Sequence, residues 1–209
     1  MADEEYEGDP RVGVMNGVAV PTVEPVEGYD DHPDHEAPSI ESLRRLVRRG
    51  DSVVVVGGGW GASTVVAARM THYEGDVTTF EATSEMISTI ERTIEINRVS
   101  DLVTLRHAAV GEVSEFTEKL YGEADGDLLG PEAIPACDVL ELDCEGAELE
   151  ILRALDFDPR VIIVETHGDL GSPTEEVEAE LADRGYEIVD RGVVGPDDDL
   201  DVLTATREA

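Results

Sequence analysis

Lysine is almost missing from this 209-residue sequence: Lys119 is the only one, and arginine supplies the rest of the 15 basic residues. Against them stand 49 acidic residues, a formal net charge of −34. Such an excess repels polyanions and so counts against a nucleic acid partner. The same balance is expected of any chain adapted to concentrated salt, whatever its partner. There the Debye length falls to about 3 Å near 1 M and self-repulsion is screened. Cysteine is scarce too. Cys137 and Cys144 lie seven positions apart with no CxxC or Cys/His spacing, which argues for two reduced core thiols and against a zinc site. No run of about 18 apolar residues occurs, so no membrane-spanning helix is expected. No basic and then apolar N-terminal stretch marks a secretory signal, and a cytoplasmic protein is the expectation. What remains, an apolar fraction of 41%, suffices for one domain with a proper core.

Residues 1–37 carry acidic residues and several prolines without a sustained period, and predict a largely irregular leader that could fold over an active-site mouth. Its His32, Asp34 and His35 could bind a metal, but two histidines beside Pro33 make a poor site. From residue 38 to residue 209 the pattern is regular and predicts one domain. Ser39–Arg49 reads as an amphipathic helix stopped by Gly50. Val53–Val56 is a β-branched run suited to a strand buried on both faces of a parallel sheet. Further strands are expected at Val77–Glu81, Leu102–Arg106, Val139–Asp143 and Val161–Glu165. Helices are expected up to Met70 and over Ser84–Ile96, Ala147–Leu155 and Thr174–Arg184. Two last strands, Glu187–Val189 and Asp201–Thr206, have no helix between them. The fold class is therefore α/β: a Rossmann-like, doubly wound, mostly parallel seven-stranded sheet with a C-terminal antiparallel hairpin.

The chemistry concentrates at strand ends. Val53–Val56 runs into Gly57, Gly58, Gly59, Trp60 and Gly61, a glycine turn that lets a cofactor approach the backbone. About twenty residues on, Glu81 ends the second strand, where a carboxylate can accept both ribose hydroxyls of an adenosine. Gly57, Gly59 and Ala62 also satisfy the dinucleotide fingerprint, so a NAD-linked oxidoreductase is an alternative at this point. The tip of the fourth strand reads Asp143-Cys144-Glu145-Gly146-Ala147-Glu148. Three carboxylates beside a buried strand end cost desolvation unless something uses them.

With that element the sequence resembles the FkbM family of S-adenosylmethionine (SAM)-dependent methyltransferases, whose mark is Asp-x-Glu-Gly-Ala-Glu before a helix. The likeness extends to the glycine loop, Phe80-Glu81, Ala108-Ala109-Val110-Gly111 and Val164-Glu165, over residues 38–170. It implies SAM as cofactor, held by Gly57, Gly58, Gly59, Trp60, Gly61, Glu81, Ala82, Ala108 and Asp143. It also implies a small-molecule or sugar hydroxyl as acceptor. Asp143, Glu145 and His167 are the candidate catalytic residues, Asp143 facing cofactor or acceptor and His167 as base. A divalent ion shared by Asp143 and His167 is a lesser variant. No Asn/Asp-Pro-Pro-Tyr/Phe segment, the element that holds a flipped base, is present. One departure stands out: the family carries an acidic residue two positions before the first glycine, bracing the glycine loop, where this chain has Val55. That departure leaves SAM binding in place as the expectation and keeps a non-catalytic domain of the same fold as an alternative.

Overall fold

Four consecutive valines seed the sheet, because residues pointing to either face of the strand at 52–56 meet apolar cover. The computed structural model describes residues 12–21, 31–112, 124–194 and 200–207. In chain order the main elements are α1 (Ala37–Leu46), β4 (Ser52–Val56), α2 (Ala62–Met70), β5 (Asp76–Glu81), α3 (Ser84–Ile96), β6 (Val103–Val110) and β7 (Asp127–Leu129). They continue with β8 (Val139–Leu142), α4 (Glu148–Ala154), β9 (Val161–Glu165), α5 (Thr174–Asp183), β10 (Glu187–Val194) and β11 (Leu200–Thr206). Val53 and Val55 pack into a core with Ile40, Leu43, Val65 and Ile90. Val54 and Val56 pack the other way, with Leu149, Ile151, Leu152, Val177 and Leu181. This two-sided burial is the reason the strand is uniformly apolar rather than alternating.

The sheet has the order β10-β11-β9-β8-β4-β5-β6-β7. Every pair is parallel except β11 with β9 and with β10, which is the expected C-terminal hairpin. An eighth strand widens the expected seven: β7 pairs in parallel with Ala108–Val110 at the edge. It is three residues long and half exposed, too short for a periodic pattern to announce it. The chain leaves β4 toward β5 on one side and returns as β8 on the other, so strand order reverses at β4. That reversal opens a crevice at the carboxyl ends of β4 and β8, the usual ligand position of open α/β sheets.

The leader departs from the irregular chain expected of it. Val12–Met15 (β1) and Val18–Pro21 (β2) form an antiparallel hairpin, and Asp31–His32 (β3) pairs in parallel with β1. Its turn is Asn16-Gly17 with φ of 47° and 75°. Two positive φ values match the twist of a two-residue hairpin, and Asn-Gly is its strongest sequence signal. The Asn97 side chain at the end of α3 accepts from the Ala19 N–H at 3.3 Å and donates to its carbonyl at 2.7 Å. Met15, Val18 and Val20 thereby join the main core.

Candidate functional site

The glycine loop divides by role. A Cβ at Gly57, where φ is +92°, would sit 1.7 Å from the Asp143 carbonyl oxygen, and one at Gly58 would strike Ile90 and Thr79. At Gly61 a side chain would press on Thr93. These three glycines therefore let the loop pack against its own protein: β8 beneath it and α3 beside it. Only at Gly59, with φ +48°, would a Cβ meet nothing within 4 Å. Gly57, Gly59 and Trp60 line the cleft, whereas Gly58 and Gly61 do not.

Across the cleft Glu81 ends β5. Its Oε2 accepts the Gly59 N–H at 3.2 Å, and its Oε1 accepts the Thr83 N–H at 3.0 Å and the Thr83 hydroxyl at 3.2 Å. A carboxylate has about four lone-pair sites, so one remains for a ribose hydroxyl. Ala82, Ala108, Ala109 and Val110 continue the wall. Small side chains along this edge leave room for a flat ring.

The acid missing at Val55 lies one strand away. Glu141 on β8 pairs in register with Val55, and its Oε1 accepts from the Ser63 hydroxyl in the first turn of α2 at 3.1 Å. Burial pushes its carboxyl up to about 8, so near neutral pH it is held mostly protonated. The Gly59 amide of the glycine loop is held by Glu81.

The tips of β8 and β9 assemble the chemistry. Asp143 follows β8 and lines the cleft with Glu145. Glu145 takes a left-handed φ of 57°, a conformation that costs a non-glycine residue about 1–2 kcal/mol. Gly146, at φ +116°, packs against the Leu170 carbonyl, where a Cβ would not fit. His167 is 4% exposed and stands a layer behind the cleft lining. Its Nδ1 lies 2.9 Å from Glu148 Oε1. Its Nε2 looks toward Glu145 Oε2 at 3.4 Å, Glu165 Oε1 at 3.6 Å and Asp143 Oδ1 at 3.8 Å.

Glu148, 0% exposed, is the anchor. It accepts from the Cys144 N–H at 3.0 Å and from the Gly146 N–H at 3.1 and 3.0 Å through its two oxygens. Burial alone would raise its carboxyl, but the His167 hydrogen bond and charge outweigh that and hold it below the usual range. Asp143 goes the other way: burial, then Glu165, Glu36, Glu141 and Glu145, push its carboxyl well up. Glu165 is raised to about 7, chiefly by burial. Burial works against a charged His167, yet Glu148, Glu145 and Glu165 together raise it.

Of the expected catalytic residues, Asp143, Glu145 and His167 therefore meet. Glu165 and Glu148 belong with them and were not singled out from sequence as site residues. The available signals were the acidic end of the apolar run Val161–Val164 and the last acid of the Asp-x-Glu-Gly-Ala-Glu element. His35 and Glu36, from the end of the leader, also line the cleft, whereas the His32-Asp34-His35 segment forms no metal-ligand cluster among the described residues.

With this geometry in view, the sequence matches the family described as the methyltransferase FkbM domain over residues 22–188. The chain belongs to the FkbM methyltransferase family. Among solved structures it resembles precorrin-6y C5,15-methyltransferase from Geobacter metallireducens (TM-score 0.55, 19% identity, 90% of this chain and 94% of that one). It also resembles a putative O-methyltransferase from Klebsiella pneumoniae (0.53, 17%, 93% and 85%). A third likeness is Aeropyrum pernix fibrillarin with natively bound SAM (0.52, 18%, 82% and 74%). No curated protein matches the sequence. The methyltransferase uses SAM as cofactor, and the oxidoreductase alternative gives way. The cleft suits that cofactor, with open space at Gly59, a spare carboxylate lone pair at Glu81 and an acidic floor for a sulfonium. Among the described residues no helix is long and apolar enough to cross a membrane.

Proposed function

We propose that this methyltransferase methylates a hydroxyl oxygen of a small molecule or sugar, in the cleft bounded by the glycine loop and the β8 tip. The observation that carries the reading is the gathering of Asp143, Glu145, Glu165 and His167 within one acidic, largely buried cluster at the edge of that cleft. A hydroxyl must lose its proton as it attacks, and a positioned base contributes about 10²–10⁴-fold. When bound, SAM supplies a methyl on a sulfonium that the acceptor oxygen displaces in line, the C–S electron pair returning to sulfur.

The chain's own residues do the rest. Gly57, Gly58, Gly59, Trp60 and Gly61 shape the cofactor's bed, with Gly59 and Trp60 facing it. Glu81 takes a ribose hydroxyl on its remaining lone pair, and Ala82 and Ala108 flank the ring. Asp143 floors the reacting centre, Glu145 faces the acceptor, and the hydroxyl proton passes into the cluster they share with His167. Alignment of oxygen and methyl can supply about 7–11 kcal/mol of the barrier.

The test is label transfer from methyl-labelled SAM to a panel of polyhydroxylated small molecules, tRNA and unfolded protein at high salt. Label in an acid- and base-stable ether of a small molecule is expected. Label confined to RNA or protein would overturn the reading.

A further inference from the structure

We propose that Asp143, Glu165 and His167 form a binding site for one divalent cation, of the kind that takes mixed carboxylate and imidazole ligands, at the edge of the cofactor cleft. The three side chains each offer a ligand atom, and these atoms lie within 4.8 Å of one another. Metal–ligand bonds of about 2.0–2.2 Å set neighbouring ligand atoms about 3 Å apart and opposite ones about 4 Å apart. Nε2 stands 3.8 Å from Asp143 and 3.6 Å from Glu165. Those distances are too long for hydrogen bonds, and a small contraction brings them onto a shared ion.

An independent observation concerns the histidine. An ionised carboxylate can only accept, so Glu148 at 2.9 Å from Nδ1 places the ring proton there. Nε2, on the same nearly buried ring, faces three acidic oxygens, of Glu145 at 3.4 Å, Glu165 at 3.6 Å and Asp143 at 3.8 Å, a place that a proton or a metal cation can fill. Glu148 meanwhile does what an outer-sphere carboxylate does for a metal-bound imidazole, fixing tautomer and ring orientation. Asp143 also lines the cleft, so a cation held by these residues would sit at its edge.

A cation there gives His167 a different role from the base expected of it: it is a ligand, and the acceptor's hydroxyl, acidified by the metal, loses its proton to Glu145. That role rests on the hydroxyl reading above; cation binding itself does not.

The experiment titrates the chelator-stripped full chain with Mn²⁺, following loss of the free-ion EPR signal. About 1 M KCl screens diffuse attraction to the acidic surface. Saturable binding at a single site is expected, weakened at least tenfold in His167→Ala and in Glu165→Gln. S-adenosylhomocysteine titration of each variant reports that the fold survives, and Glu165→Gln carries the test should His167→Ala not fold. Equal Mn²⁺ affinity in wild type and Glu165→Gln overturns the site. Mn²⁺ binding with methyl label only in RNA or protein overturns the hydroxyl reading and leaves the site standing. A labelled small-molecule ether without an Mn²⁺ site does the reverse.

Discussion

Alanine at two neighbouring glycines should give opposite phenotypes. In Gly57→Ala the new Cβ lies 1.7 Å from the Asp143 carbonyl oxygen, on backbone at φ +92°. Ordinary contact needs more than 3 Å, so the tips of β4 and β8 must separate by more than an ångström. The Asp143 N–H bond to the Val56 carbonyl, 2.9 Å long, is strained with them. Left-handed backbone costs alanine about 1–2 kcal/mol and overpacking a further 1–3 kcal/mol, so a loss of about 2–5 kcal/mol is expected. For a chain of this size that lowers Tm by roughly 4–20 °C. In Gly59→Ala the Cβ meets nothing. Only the backbone term remains, offset in part by the less flexible unfolded chain, and Tm should fall by no more than about 5 °C. The methyl group, however, projects into the cleft proposed for the cofactor, and affinity for S-adenosylhomocysteine should drop at least tenfold. Thermal unfolding without ligand, beside calorimetric titration, separates the two. Equal destabilisation by both substitutions, or unimpaired binding by Gly59→Ala, would refute the division of the loop into packing and binding glycines.

Glu81→Ala removes the Gly59 brace along with the proposed ribose acceptor, so S-adenosylhomocysteine affinity should fall at least tenfold by calorimetry, hydrogen bonds to charged groups contributing about 1.5–3 kcal/mol each. Asp143→Asn replaces a carboxyl that burial and four acidic neighbours push well up by an amide of the same size; Tm should hold or rise, while label transfer slows about 30- to 1000-fold, a loss of ~2–4 kcal/mol of transition-state stabilisation, because an amide can neither exchange a proton with the cluster nor ionise when the cationic cofactor binds. Glu148→Gln puts an amide among the donors of Cys144, Gly146 and His167; leaving a buried donor unpaired costs about 1–3 kcal/mol, and Tm should fall by roughly 2–12 °C, an unchanged melt counting against its anchoring role.

Local pattern alone determined a good deal of this protein. The valine run, the glycine turn, Glu81 at its distance and the Asp-x-Glu-Gly-Ala-Glu strand end are contiguous signals. These contiguous signals made the fold class, an adenosine-type cofactor and the position of the β8 tip legible, and the likeness of the β8 tip to the FkbM family pointed to SAM. The Asn16-Gly17 hairpin was equally local and was obscured by the acidic, proline-bearing stretch around it. Other features depended on which strands lie side by side. Val55 reads as a lost acid until β8 is placed on one side of β4, which puts Glu141 at the same register, and β5 on the other, which puts Glu81 on the Gly59 amide. Gly57 and Gly58 look like room for a ligand until the Asp143 carbonyl and Ile90 arrive beneath them. Glu165 and His167 join Asp143, Glu145 and Glu148 because β9 is hydrogen-bonded to β8, a neighbour relation set by burying apolar faces on both sides of the sheet. Spacing along the chain cannot encode it, since parallel strands meet through crossovers whose length leaves the partner open.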